Sequence, residues 1–325
     1  MSQRVIISTN LESEIAEALA ECEHDKIFVL TDETTVVKCW PVVKNYFSLR
    51  DAKVITIGAT DTHKDLDTMV HVWKSLGEGG ASRHSCMINL GGGMVTDLGG
   101  FAAATFKRGI NFGGLKNEIG VFCDSKFVIL DTEFLRTLDA ENICSGYAEM
   151  LKHGLISDEK MWAELVGFDL AHPDLQQLQR MVGDSVAVKE RIVEQDPHEH
   201  GIRKALNLGH TFGHAFESWA LKRKPVLHGY AVAFGLIPEL YLSVMKTGFP
   251  TEKMRQTVNF IKEYYGSLPI TCDDYDELIE LMRHDKKNQD GIINFTLLGG
   301  IGDIRINQSA TIDEIKEAFD FFREG

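Results

Sequence analysis

The sequence predicts an α/β plus α chain, with an N-terminal Rossmann-like parallel-sheet domain over residues 1–141 and a mostly helical domain over 142–325. Two observations carry this reading. Short β-branched runs alternate with helical patterns through the first part, and from Asn142 onward nearly every segment has helical period. A third supports it: Gly91-Gly92-Gly93 stands between a strand-like run and a helix-like one, as a strand-to-helix turn requires.

Taken in order, the strands are RVIIS, KIFVLTD, KVITIG, CMINL and FVIL. The helices between them are LESEIAEALAEC, one through VVKNYF, DLDTMVHVWKSL, and LGGFAAATF opened by the glycines. Strands separated by helical crossovers pair in parallel. The second part reads as helices through YAEMLKHGLI, DEKMWAELVG, LQQLQRMVGDSVAVKERIVEQD, HTFGHAFESWAL, GYAVAFGLIPELYLSVMKTG, TEKMRQTVNFIKEYYG, YDELIELMRHDKK and TIDEIKEAFDFFRE, with INFTLLGGIGDIRI as a small β-excursion.

With 325 residues, 44% hydrophobic and 25% charged, the chain is neither disordered nor fibrous. Its 34 Lys and Arg against 48 Asp and Glu leave a formal charge of −14. That excludes a wholesale grip on nucleic acid or anionic membrane, so neither is expected as a partner, and any bound anion needs a local cluster of cations. No apolar run approaches the ~20 residues that span a bilayer, and MSQRVIISTNLESE has no signal-peptide core. Cys22, Cys39, Cys86, Cys123, Cys144 and Cys272 form no CxxC pair. They are expected as small core residues of a cytoplasmic protein.

Two motifs carry chemistry. Gly91-Gly92-Gly93-Met94-Val95-Thr96-Asp97 would let backbone N–H groups and a helix N-terminus meet a phosphate, although a tight turn needs glycine as well. It is not the GxGxxG fingerprint. In RKALNLGHTFGHA, His210 and His214 lie four apart and share one helical face, while Gly209 and Gly213 permit close approach. His228 offers a third imidazole and Glu149 a carboxylate. Three N/O ligands with one open position describe a catalytic zinc site. The plainer alternatives are satisfied core histidines and, for Glu149 with Lys152, an ion pair three residues apart. Cations gather at Lys107-Arg108, Lys189, Arg203-Lys204, Lys222-Arg223-Lys224 and Lys286-Lys287. They are either solvated helix faces or, where several converge, a grip for a small polyanion.

GGGMVTDLGGFAAATFKRG, LKNEIG, GYAEMLKHG, VKERIVEQD, RKALNLGHTFGHAFE, HGYAVAFG and DKKNQDGIINFTLLGGIG, in this order over most of the chain, resemble the 3-dehydroquinate synthase family. That family is similar in fold to glycerol dehydrogenases, with an NAD-binding α/β domain and a helical metal-binding domain. The resemblance implies that Glu149, His210 and His228 bind zinc, with cobalt able to replace it. Gly91, Gly92, Gly93 and Asp97 would form the NAD site, helped by Asp32, Lys64 and Asp61, where the family's usual residue is glutamate. Lys116 would lie in the cofactor cleft. Lys189 and Arg203 would hold the substrate carboxylate; Asn117, Asn207, His214 and one of Lys286 and Lys287 would surround its phosphate. Lys152 would touch a substrate hydroxyl, and with Asn207 and His214 make up the catalytic group. Arg108 would reach the neighbouring subunit's phosphate site, implying a homodimer.

The implied reaction converts 3-deoxy-D-arabino-heptulosonate 7-phosphate to 3-dehydroquinate and phosphate, by transient oxidation, elimination, reduction and an intramolecular aldol. The alternatives are another sugar phosphate cyclase such as 2-deoxy-scyllo-inosose synthase, a metal- and NAD-dependent polyol dehydrogenase, or a non-catalytic NAD- or metal-binding protein. One departure stands out: between Ile110 and Asn111 the family carries a further stretch of about two dozen residues, of the loop kind that bears function, with threonines at the cofactor and an Asp and Lys at the substrate. Full turnover is expected of a chain that carries that stretch.

Overall fold

The computed structural model describes residues 4–60, 63–113, 125–283 and 293–324. The chain divides into two compact units, Met1–Thr137 and Leu138–Gly325.

The first unit alternates strand and helix: β1 (Arg4–Ile7), α1 (Leu11–Ala20), β2 (Ile27–Asp32), α2 (Thr35–Lys38), α3 (Trp40–Val43), β3 (Lys53–Ile57), α4 (Leu66–Glu78), β4 (Cys86–Asn89), α5 (Gly93–Thr105), β5 (Asn111–Gly113) and β6 (Phe127–Leu130). Four strands form a parallel sheet in the order β3-β2-β4-β5, and β1 pairs in parallel with β6. The β-branched runs supply its core: Phe28, Leu30, Ile55, Ile57 and Met87 pack on Val72 and Leu76 of α4 and on Val95, Leu98 and Ala102 of α5. Each fully buried aliphatic or aromatic side chain is worth about 1.5–3 kcal/mol. Asn10 and Asp65 cap α1 and α4 by accepting the Ser13 and Thr68 N–H groups.

The helix expected through VVKNYF is corrected. Helical backbone ends at Val43, and Lys44–Asp51 are turns. Pro41 has no N–H to extend a helix, so α2 and α3 are single turns meeting at Cys39. Beyond them the bonds from Tyr46 N to Val43 O and from Leu49 N to Tyr46 O follow a tight three-residue spacing. The strand β5 was not read from the sequence. It begins one residue after Lys107, Arg108 and Gly109, which hold consecutive positive φ values of 48°, 74° and 109°.

The second unit holds α6 (Ala140–Ser157), α7 (Glu159–Val166), α8 (Leu175–Gln195), α9 (His210–Leu221), α10 (His228–Thr247), α11 (Thr251–Tyr265), α12 (Tyr275–Arg283), the antiparallel pair β7 (Asn294–Gly300) and β8 (Asp303–Ser309), and α13 (Ile312–Glu324). Asp139, Asp158 and Asp174 cap α6, α7 and α8. A domain boundary at 141/142 would fall inside the first turn that Asp139 caps. The central element is α10, buried from Ala231 to Leu240, with α9, α6, α11, α13 and β7 around it. Phe212, Phe216, Phe319 and Phe322 form an aromatic cluster with centroids of its contacting pairs 4.9–6.3 Å apart.

Cys22, Cys39, Cys86 and Cys144 are buried, as small core residues should be, but Cys272 is exposed. It lies in the short turn before α12, where its sulfur accepts from Arg323. Cys123 lies outside the described residues. Among the described residues no helix is long and apolar enough to cross a membrane.

Candidate functional site

In the second unit, glycine sets where α9 begins. Gly209 precedes it with φ +80°, and a Cβ there would stand 2.9 Å from Leu236 and 3.0 Å from the Val232 carbonyl. A Cβ on Gly235 would come within 2.0 Å of Gly209 O, so the backbones of α9 and α10 meet directly. Their first turns thereby converge. One ring nitrogen each from His210, His214 and His228 lies within 4.8 Å of the others.

From α6, Glu149 reaches the same place, with Oε1 3.4 Å from His210 Nε2 and Oε2 accepting from Lys152 Nζ at 2.5 Å. Oε1 is buried without a hydrogen-bond partner. The Nδ1 atoms of His210 and His228 are engaged by Leu208 O and Glu217 Oε2, each at 3.1 Å. Bonds of this kind place the proton on Nδ1 and leave Nε2 as a donor to a metal. An orphaned carboxylate oxygen beside imidazoles whose outer nitrogens are fixed fits a divalent ion.

The pairing differs in one respect from the expected trio. His214, assigned to the substrate phosphate, belongs to the same three-histidine group, so the cluster offers four donors. Burial pushes the Glu149 carboxyl up, but Lys152 and His210 outweigh it and hold the group well below the usual range. The bond from Glu217 raises His228 against the opposing effect of its burial. Next to Lys152, which is only 2% exposed, buried His153 takes Ser185 Oγ at 2.6 Å. Burial, with the charges of Lys152 and Lys189, pushes His153 down to about 3, so its ring is neutral.

Lys189 is exposed on α8, four residues past Ser185. Arg203 lies in the turn Ile202–Asn207, its guanidinium bonded to Pro197 O at 2.6 Å. Asn207 donates to Glu199 Oε1 at 2.8 Å. Lys222 and Arg223 take the plainer role. They pair with Glu277 and Asp274, and Arg223 stacks 4.2 Å over Trp219. Sequence reasoning passed over Glu217, although its place seven residues after His210 and three after His214 already set it on their face. Glu199 and Ser185 had no such signal.

In the first unit, the glycine turn follows β4 and α5 starts at Gly93 itself. A Cβ on Gly91 would strike Val95, whereas one on Gly92 or Gly93 would meet nothing. The first glycine serves packing; the other two leave the helix N-terminus open. Asp32 ends β2, the neighbour of β4, and its Oδ1 accepts from Thr34 N and Thr35 N. Lys64 bonds Asp97, the fifth residue of α5, at 3.0 Å. These groups gather at the carboxyl edge of the sheet, where open α/β sheets bind ligands. Arg108 is exposed in the left-handed segment. Asp61, Lys116, Asn117, Lys286 and Lys287 lie outside the described residues.

The 3-dehydroquinate synthase N-terminal model matches residues 54–115 and the C-terminal model residues 146–288. A 3-dehydroquinate synthase of Parabacteroides distasonis is 51% identical, with 99% of this chain and 98% of the relative covered. That alignment spans 346 positions, more than the chain's 325 residues, so the relative carries residues with no counterpart here. Among solved structures, a 2-epi-5-epi-valiolone synthase from Streptomyces hygroscopicus with NAD+ and Zn2+ bound superposes with TM-score 0.85 at 22% identity, covering 100% of this chain and 97% of that one. A 2-deoxy-scyllo-inosose synthase complexed with carbaglucose-6-phosphate, NAD+ and Co2+ does so with TM-score 0.84 at 20% identity, covering 99% and 96%. These two likenesses show the α/β plus helical fold. Near-full-length identity, both family models and the order of the site motifs agree: the chain belongs to the 3-dehydroquinate synthase family.

Proposed function

We propose that the chain is a 3-dehydroquinate synthase, a phosphorus-oxygen lyase that takes 3-deoxy-D-arabino-heptulosonate 7-phosphate to 3-dehydroquinate and phosphate in aromatic amino acid biosynthesis. The observation that carries this is the meeting of Glu149 from α6 with His210, His214 and His228 from α9 and α10. A zinc or cobalt ion would be held by Glu149, His210 and His228 and would supply Lewis acidity, and bound NAD would supply a hydride acceptor.

The chain's own residues do the rest. Lys152 keeps Glu149 ionised and stands ready for a substrate hydroxyl. Lys189 and Arg203 take the carboxylate, and Pro197 O limits where the guanidinium can point. Asn207, steadied by Glu199, joins His214 at the phosphate, where the imidazole moves a proton. Gripping carboxylate and phosphate at once removes orientational freedom before reaction. Gly91, Gly92 and Gly93 receive the cofactor pyrophosphate at the N-terminus of α5, with Asp32, Asp61, Lys64, Asp97 and Lys116 around the nucleotide. Asn117 and one of Lys286 and Lys287 complete the phosphate grip. Arg108 serves the neighbouring subunit, so the working form is a homodimer. Its free cysteines suit the cytoplasm.

The test is incubation of the full polypeptide, with the stretch between Ile110 and Asn111 in place, with the heptulosonate phosphate, zinc and catalytic NAD+. Dehydroquinate and inorganic phosphate are expected in equal amounts with no net NADH. Turnover of glucose 6-phosphate instead would move the chain to the 2-deoxy-scyllo-inosose branch, and net NADH from glycerol would make it a polyol dehydrogenase.

A further inference from the structure

Helix α9 begins at His210 with no capping side chain of its own, because its N-cap is Gly209. Such a start leaves N–H groups unsatisfied, and the second and third helical residues are those a capping oxygen normally serves. Here a different helix serves them. Glu239, in the middle of α10 and 0% exposed, accepts from Gly209 N at 2.6 Å through Oε2, and from Thr211 N at 3.0 Å and Phe212 N at 3.4 Å through Oε1. A carboxylate at a helix N-terminus is further favoured by the helix dipole.

The register of α10 explains how this cap bears on the site. His228, Ala231, Gly235 and Glu239 follow at steps of three, four and four, so they share one face. That face meets α9 throughout. A Cβ on Gly213 would stand 3.0 Å from Ala231 O, and one on Gly235 would overlap Gly209 O. His228 and Glu239 are thus two ends of one stripe, and the residue that Glu239 fixes in place is His210, lying between its bonds to Gly209 and Thr211.

We infer that Glu239 is a positioning residue for the metal: it caps α9 from α10, sets the first turn of α9 against the helix that carries His228, and so holds His210 Nε2 at the distance from His228 and Glu149 that a divalent ion needs. This rests on the reading of Glu149, His210 and His228 as the metal ligands.

The test uses cobalt as the probe, titrated into the metal-free full chain and followed by its visible absorption. Glu239→Gln keeps the shape but turns an amide NH2 toward backbone donors. It is expected to bind Co2+ about tenfold to a hundredfold more weakly, the usual cost of losing a group that supports a ligand, with an altered spectrum. Glu239→Asp, which keeps the charge but shortens the reach, should fall between parent and Gln variant. Ser243→Ala is the control, since Ser243 Oγ bonds Glu239 O and Leu298 N without touching α9. It should lower the melting midpoint while leaving cobalt affinity and spectrum unchanged. The inference is overturned if a folded Gln variant keeps the parent's affinity and spectrum, or if Ser243→Ala loses as much. Should the Gln variant not fold, hydrogen exchange of the parent decides. Gly209 and Thr211 amides are expected to be protected, and exchange as fast as that of the uncapped first turn of α11 would overturn the inference. A parent that takes up no cobalt overturns the metal reading itself, and this inference with it.

Discussion

His228 is held between two carboxylates. Glu217 bonds its Nδ1 directly and Glu149 adds its charge, so the imidazole keeps its proton to a higher pH than the ordinary 6.5 despite partial burial. Proton and metal compete for Nε2. Acidification should therefore displace the metal at a higher pH than it would from an unshifted histidine. In the metal-free protein the sign reverses its meaning: a raised folded pKa contributes stability that is present below the unfolded value and lost as pH rises through the folded one. Replacing Glu217 with Ala should weaken Co2+ binding about tenfold to a hundredfold near pH 8, and by less near pH 6, where the variant's imidazole carries less proton. Melting of the metal-free proteins should separate parent and variant most below pH 6 and least near pH 8. A Glu217→Ala protein with the parent's cobalt titrations at both pH values would remove Glu217 from the site.

At the scale of elements, α9 and α10 work as one piece because glycine lets their backbones touch. Gly235→Ala puts a methyl 2.0 Å from Gly209 O, where no flexible side chain can yield. Overpacking of this kind costs about 1–3 kcal/mol, measurable by urea unfolding, and here it should also separate His210 from His228. A variant that lost stability but kept full cobalt affinity would mean the close contact serves folding alone. In the first unit, Arg108 pays a different cost, with a side chain on left-handed backbone at φ 74°. Arg108→Gly should stabilise the protein by about 1 kcal/mol by relieving that conformation. The same change should lower turnover, because Arg108 is proposed to act at a neighbour's phosphate site. Opposite signs in stability and activity mark a residue kept for function.

For the whole molecule, that assignment makes a subunit experiment decisive. His210→Ala has a dead site of its own but offers an intact Arg108; Arg108→Gly has an intact site but lacks the donated arginine. Mixed as exchanging dimers, the two inactive proteins should recover about a quarter of parental turnover, since half the dimers are hybrids with one complete site each. No recovery in demonstrated hybrid dimers would confine Arg108 to its own chain. The net charge of −14 also acts at this scale. An anionic substrate would gain nothing from the molecule's average field, so its affinity would have to come from local cations, the role proposed for Lys152, Lys189 and Arg203.

Much of this was legible in the sequence because it depends on local periodicity. Strand and helix alternation, the helical second half and the glycine turn are written in neighbouring residues, and the spacing of His210, His214 and Glu217 already set them on one face. The helix through VVKNYF stops after one turn, at Val43, which its apolar pattern did not show, and β5 is three residues long, too short for any period to show. Only the tertiary structure decided that Glu149 and His228 meet His210, that His214 joins them, and that Glu239 caps a helix other than its own. Those pairings join residues up to 79 positions apart or on separate helices, and close glycine contacts bring them together, Gly235 against Gly209 between α10 and α9 and Gly229 against Ser145 between α10 and α6, which no local pattern encodes.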